Sequence, residues 1–483
     1  MPSNRVVKVR STGDSVTAQE MRDGIEAIQQ ELKLTPAFPD AVEAAAAEAA
    51  ANPRLPELDR TDIPFVTIDP ESSRDLDQAM HIERAGDGYV VHYAIADVAA
   101  FVSPGDPVDV EANRRGETLY GADSKIPLHP PVLSEGAASL LPDEVRPALL
   151  WTIQVDDSGE GTDVQVERAL VRSRAKLSYA GVQAELDAGT ADELIGLLKE
   201  VGELRLAREA ARGGVSLPLP EQELVETGDG HWELEFRELL PVETWNAQIS
   251  LLTGMAAASL MVYARVGILR TLPPADPRDV QRLHRTARAL GIDWPAEQLY
   301  PDFVRTLDPS RPTHAAMIVA CTRLLRGAGY VTFNGELPEQ AQHSALASEY
   351  AHVTAPLRRL ADRYAGEICV ALCAGTEVPA WVTSAMTELP DTMTSSSRRA
   401  NQYENAIVDL CEAELLHDRV GQQFTAVVVE VEEKDARKGD ITIQEPAIEA
   451  PVTGSADLPL GEEVTVELVA ADPTTRKVQF RLV

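Results

Sequence analysis

The residues best suited to chemistry lie in one stretch, Phe65 to Met80, which reads FVTIDPESSRDLDQAM. Phe65, Val66, Thr67 and Ile68 form a short β-prone apolar run that stops at Asp69-Pro70, a turn signal. Asp75 and Asp77 follow, flanking Leu76. A strand that delivers one carboxylate at its end, and a tight loop that brings two more, predicts a compact cluster of hard oxygen ligands. Carboxylates pressed together repel and are tolerable only where cations neutralise them; Mg²⁺ is the usual occupant of such oxygen sites. Paired divalent ions in a carboxylate site serve phosphodiester hydrolysis by generating hydroxide and holding the attacking and leaving oxygens. Taken alone, the spacing fits a solvated acidic turn better, so the wider sequence has to decide.

That wider sequence carries several blocks in order: Tyr93 to Val98 (YAIADV); Ile126-Pro127 with Leu133-Ser134 and Ser139 to Pro142 (SLLP); Lys176 to Tyr179 (KLSY); and His352 to Arg359 (HVTAPLRR). With them, the first stretch resembles the T-I-D-x5-D-x-D-D-A signature of the ribonuclease II (RNB) family, over roughly Leu55 to Gly421. The resemblance implies an α+β fold: a catalytic domain of mixed sheet and packed helices, and a C-terminal OB-fold barrel. It implies a hydrolytic 3′→5′ exoribonuclease that takes single-stranded RNA to 5′-nucleoside monophosphates with Mg, Mn being an alternative. Asp69, Asp75 and Asp77 would hold the metals, with Gln78 where the family has a fourth aspartate. An amide oxygen can ligate Mg²⁺ but lacks the charge, which leaves a weakened, RNA-binding or partner-binding family member as the alternative. Arg358 would stabilise developing charge, with Arg359 and Arg363 lining the channel mouth. Tyr120 and Phe236 would clamp bases, with Trp232 competing for the second place. Tyr179 would touch the scissile region. Glu404 would accept from both ribose hydroxyls and so tell RNA from DNA. A helix starting near Val242 would offer an acidic residue to the RNA 3′ end; Gln248 or Ala247 stands opposite that position, and Glu243 is the substitute.

Composition bounds the rest. With 483 residues, 44% hydrophobic and 25% charged, the chain has room for two to four domains and ample core. No apolar run is read as long enough to span a bilayer, and MPSNRVVKVR lacks the apolar core of a signal peptide; a cytoplasmic monomer with no membrane contact is expected. Cys321, Cys369, Cys373 and Cys411 show no metal-ligand pairing and read as reduced core residues. The net charge of −33 opposes general nucleic-acid binding, yet an acidic exterior round a basic channel still admits a single strand.

Three segments are expected. Residues 1–58 read as a helical arm with a capping box at Thr17 and Glu20, then Met21, Ile25, Ile28 and Leu32 at helical spacing; the family's N-terminal cold-shock barrels have no counterpart there. Residues 59–420 would be the catalytic domain, with helices from Val182 to Glu203 and from Ser395 to about Val420. Residues 421–483 alternate as strands with turns between, an OB-fold whose acidity suits a structural cap as well as an RNA funnel.

Overall fold

The structure, a computed structural model, describes residues 8–10, 16–121, 125–219, 221–226 and 232–483. Five strands close into a barrel at its centre: β1 Phe65–Ile68, β2 Gln78–Ala85, β3 Gly88–Ala96, β4 Val145–Val155 and β5 Gly161–Leu177. The run YVVHYAIA that makes up most of β3 is buried throughout, as a near-continuous apolar strand must be when both faces are covered. Successive strands pair antiparallel, and β5 closes on β1 in parallel, setting Ile68 opposite Leu177. In the same sheet Gln78, the first residue of β2, pairs with Ile95 near the end of β3. These registers bring Asp69, the start of β2 and the residues after Leu177 to one end of the barrel.

The helices that matter for that end are α1 Val16–Glu31, α2 Asp40–Ala51, α3 Pro107–Arg115, α4 Tyr179–Asp187, α5 Glu193–Ala211, α6 Pro241–Ala264, α7 Leu360–Cys373 and α8 Leu389–Leu416. The helix expected over Val182 to Glu203 is two, because Ser178 and Asp192 each cap a new start, accepting from Gly181 and Ile195 N–H. Helix α8 begins six residues before Ser395. Ser395 and Ser396 sit inside it by donating back to the Thr392 and Met393 carbonyls at 3.0 Å, the way serine is accommodated in helices. Helix α6 is, against expectation, long and apolar enough to cross a bilayer; its Val242, Ile249, Leu252 and Met261 are instead built into the main core around the barrel.

A second closed barrel follows α8: β6 Gln423–Val431, β7 Lys438–Ile443, β8 Ile448–Thr453, β9 Glu463–Asp472 and β10 Lys477–Leu482, in the order β6-β7-β8-β10-β9. Its core shares one cluster with α8 and with Met21, Ile25 and Ile28 of α1. A Cβ on Gly24 would lie 2.7 Å from Leu410 Cδ2, so the glycine lets α1 and α8 cross closely. Arg115 donates to the carbonyls of Thr35, Ala37 and Pro127 at 3.0–3.2 Å and covers the Phe38 ring. The N-terminal helices are thereby stitched to α3 and the segment that follows it. The side chains of Thr17, Glu20 and Trp232 lie outside the described residues. None of the four cysteines is in a disulfide.

Candidate active site

Asp69 leaves β1 with its N–H donating to Leu177 O at 3.1 Å. The loop to β2 is held from outside. Ser139 Oγ accepts from Leu76 N–H at 2.9 Å and donates to Arg74 O at 2.6 Å. Lys176 Nζ donates to Glu71 O and Ser73 O at 2.6 Å. Leu76 is fully buried and anchors the loop between Asp75 and Asp77. Asp75 pairs with Lys125 Nζ at 2.7 Å, and the same lysine reaches Glu135 at 2.8 Å. Asp77 is only 5% exposed; its Oδ1 accepts the Leu357 N–H at 2.7 Å, and its Oδ2 lies 3.5 Å from Arg358 Nε.

The electrostatics follow from this crowding. Burial first, and Asp75 second among the raising influences, push the Asp77 carboxyl up to about 8 against the pull of Arg358. Burial raises Asp69 to about 7, with Asp75 adding to it and Arg358 and Lys176 opposing. These carboxyls are short of positive charge, which fits a divalent cation. Among the described residues no three His, Cys, Asp or Glu side chains already stand as a ready-made ion cage, and Asp75 is paired with Lys125.

The 350–363 segment separates the arginines. Asp362 is 1% exposed; its Oδ1 takes the Ala355 N–H at 2.7 Å, and both its oxygens take the Arg359 guanidinium at 2.9 Å. Arg359 therefore braces the loop from the N-cap position of α7. Arg363, expected at the channel mouth, is buried at 4% on Asp109 and the Val102 carbonyl. Helix α7 starts at Leu360, four residues after Pro356, and the Leu357 N–H points at Asp77 rather than at an open phosphate position. Arg358 alone of the three keeps an exposed side chain, at 44%, with Asp77, Asp69, Tyr179 and Tyr120 in its field.

Tyr120 is half-buried and shares a hydrogen bond with Arg358. Tyr179 starts α4 beside Asp69 and accepts from Asn246 Nδ2 at 3.1 Å; burial and Asp69 push its hydroxyl up to about 12. On α6 it is Asn246 that faces the site. Gln248 is buried against Glu209 at 2.7 Å, and Glu243 is spent on the Leu240 N–H and Arg237, so both side chains are engaged within the protein. Phe236 packs at the edge of the cluster that joins α8 to the second barrel; Leu119 and Ile126, neighbours of Tyr120, belong to the same cluster.

Glu404 is 7% exposed on α8 and faces a carboxylate the sequence reading passed over, Glu117. Burial first, then Glu117, push the Glu404 carboxyl up to about 7. Glu117 is itself raised by burial, with Ser396, Ser397 and Arg359 opposing. Gly116 makes the approach possible: its φ is +77°, and a Cβ there would meet Ser396 Cβ at 2.5 Å. An unfolded glutamate ionises near 4.5 and the folded Glu404 near 7, so between those values the unfolded state holds fewer protons. The stability is complete below about pH 4.5 and is lost as pH rises towards 7, levelling at about 3 kcal/mol. Glu404→Gln is expected to flatten that slope: thermal melts should favour the variant at pH 8 and not at pH 4.5.

Against known proteins, residues 58–373 match the RNB domain and residues 422–483 match the RNase II-type exonuclease C-terminal S1 domain. The chain belongs to the RNB family. It is 28% identical to ribonuclease R of Escherichia coli over 423 residues, which is 82% of this chain and 51% of the relative; it spans about half the length of that relative. A 177-residue stretch is 35% identical to exoribonuclease 2 of Vibrio vulnificus, covering 35% of this chain and 26% of that one. The fold matches RNase R of Mycoplasma genitalium in complex with ribose methylated single-stranded RNA, with a TM-score of 0.84 and 20% identity over 96% of this chain and 78% of that one. It also matches yeast Ssd1, a pseudonuclease, with a TM-score of 0.70 and 16% identity over 94% and 57%.

Within the RNB pattern, Gln78 is the departure that the geometry explains. Its Nε2 donates to Thr354 O at 2.6 Å and its Oε1 accepts from Tyr93 OH at 2.6 Å. The amide thus ties the barrel to the arginine loop, a job that needs a donor as well as an acceptor and that an ionised carboxylate cannot do. Both ends are already bonded within the protein and the amide carries no charge, and it is the charge that sets the three aspartates apart as ligands. Gln78→Leu is expected to cost roughly 2–3 kcal/mol, since Thr354 O and Tyr93 OH lose their partner in a buried setting; chemical denaturation measures it.

Proposed function

We propose that this chain is a Mg²⁺-dependent, hydrolytic 3′→5′ exoribonuclease that acts on single-stranded RNA as a cytoplasmic monomer and releases 5′-nucleoside monophosphates, with Mn²⁺ as a substitute ion. The observation that carries the reading is the meeting of Asp69, Asp75 and Asp77 at one barrel end with the exposed guanidinium of Arg358. Asp69, Asp75 and Asp77 are the residues to hold the ion; when bound, it activates water and offsets charge on the phosphate oxygens. Arg358, held by Asp77 and Tyr120, offers a fork to a phosphate oxygen that gains charge as the P–O bond breaks. Tyr120 presents a π face to a base without selecting its identity. Tyr179, oriented by Asn246 and protonated at neutral pH, donates to the scissile phosphate. Glu404, beside Glu117, accepts from the terminal ribose hydroxyls, which DNA lacks in part.

The test is a time course on 5′-labelled single-stranded RNA with Mg²⁺, beside the same sequence as DNA. Expected is progressive shortening from the 3′ end of RNA alone, with mononucleotides released and loss of activity in EDTA. RNA that is bound but never shortened across a range of Mg²⁺ and Mn²⁺ would replace this reading with that of a binding protein.

A further inference from the structure

At the other end of β5 from Asp69, a cavity of about 690 Å³ opens between Gly161–Val164, α5 and the second half of α6. Arg205, Arg208 and Arg212 border it from one helical row, at spacings that place them on one face. Arg205 is 2% exposed. Its Nη1 donates to Gly159 O at 2.9 Å and its Nη2 contacts Met255 Sδ at 3.3 Å, while its Nε has no partner. Arg212 donates from Nε to Leu346 O at 2.7 Å, and its Nη2 has none. Among the described residues neither arginine forms an ion pair, whereas Arg208 pairs with Glu160. Burial, with Arg212 next, lowers the Arg205 guanidinium to about 10. The nearest carboxylates, Glu209 and Glu160, act on both arginines but are bonded elsewhere, Glu209 by Gln248 and Ser216 and Glu160 by Arg208. Two crowded cations, one buried and one half-buried, without a direct ion pair are costly, and a phosphate would offset that cost through charge-assisted bonds.

The remaining walls are not those of a bare anion site. Leu252, Met255 and Val262 supply an apolar side, and Tyr263 stands 93% exposed at the rim, where an aromatic face invites stacking. Asp163 and Glu349 also border the space and would repel a simple anion, but they accept from hydroxyls and amines. We propose that this cavity is an accessory site for a nucleoside monophosphate, with phosphate on the Arg205–Arg212 row, base on the Tyr263 side and ribose towards Glu349. The choice of a nucleotide rests on the exoribonuclease reading, since that reaction would release it; the phosphate contact rests on the arginines alone.

Equilibrium dialysis of the full chain with AMP, inorganic phosphate and adenosine tests this, run with the catalytic channel filled by a saturating non-hydrolysable phosphorothioate RNA. One AMP per chain is expected to remain bound, tighter than adenosine. Arg212→Gln should weaken AMP and phosphate about tenfold, as for loss of a charged hydrogen bond. Tyr263→Ala should weaken AMP and leave phosphate unchanged. Both variants should degrade RNA within twofold of wild type. If Arg212→Gln fails to fold, Arg208→Gln, half-solvated, replaces it. If the RNA displaces AMP yet binding still falls in Arg212→Gln, the site stands and its nucleotide is a unit of an RNA chain. AMP and phosphate that bind neither with nor without the RNA, or affinity indifferent to the arginines, would overturn the proposal. Binding without any RNA degradation would leave it standing and remove the exoribonuclease reading instead.

Discussion

Asp77→Asn is expected to lower the rate of RNA shortening by roughly 100-fold or more while leaving the fold intact. The substitution is nearly isosteric, and an amide oxygen still accepts the Leu357 N–H that Asp77 Oδ1 takes at 2.7 Å. What disappears is negative charge at a position that is 5% exposed and shared between a cation's place and Arg358 at 3.5 Å. Charge removed from a desolvated site counts for more than charge removed at the surface. Removing the carboxyl also relieves a group whose ionisation is opposed by burial, its level being about 8, so the variant's melting temperature above pH 8 should equal or exceed that of wild type. A rate within threefold of wild type, on a chain with unchanged circular dichroism, would sink the site assignment.

The parts of this site that could be read from sequence are those where local pattern and chemistry coincide. FVTI followed by Asp-Pro is a strand with a stop, and the structure ends β1 at Ile68 with Asp69 at the rim. The apolar run to Ala96 is β3. The β1–β5 register carries Tyr179 to Asp69, and Tyr120 and Arg358 arrive together because the segment before Tyr120 bridges the arginine loop, Glu117 with Arg359 and Thr118 N–H on Arg358 O; no local pattern contains that meeting, and only the resemblance brought the residues together. What could not be read depends on partners distant in sequence. Arg358 and Arg359 are adjacent and chemically identical, and only the buried Asp362, three residues on, separates a free guanidinium from a brace; that i, i+3 spacing was available as a signal. Lys125 on Asp75 is a pairing across 50 positions with no local trace. Glu117 was hidden because its bridge partner, Arg359, is 242 positions away, although Gly116 before it marked a close approach. Gln248 and Asn246 differ only in which face of α6 they occupy, and the helix is apolar enough on several faces that its pattern does not choose.

The contrast between the two neighbouring arginines is the second large effect. Arg358→Gln is expected to cut kcat about 100- to 1,000-fold, the size of losing a donor aimed at developing charge, with KM for RNA changed by less than about tenfold and the melting temperature nearly unchanged. Its side chain is 44% exposed and holds no backbone group in place, and Asp77, whose carboxyl burial already pushes up to about 8, can take a proton when the guanidinium is gone, so stability depends on Arg358 little. Arg359→Gln should do the reverse. That guanidinium makes two bonds of 2.9 Å to Asp362, whose side chain is sealed from water and also holds the Ala355 N–H; leaving such a carboxylate without its cation costs roughly 3–5 kcal/mol. The loop between β-barrel and α7 would loosen and the melting temperature would fall, and activity at a temperature where the variant remains folded should drop far less than in Arg358→Gln. Single-turnover kinetics beside thermal melts separate the two. Equal losses of rate and of stability in both variants would mean that the pair acts as one structural clamp, and the assignment of a charge-stabilising role to Arg358 would be withdrawn.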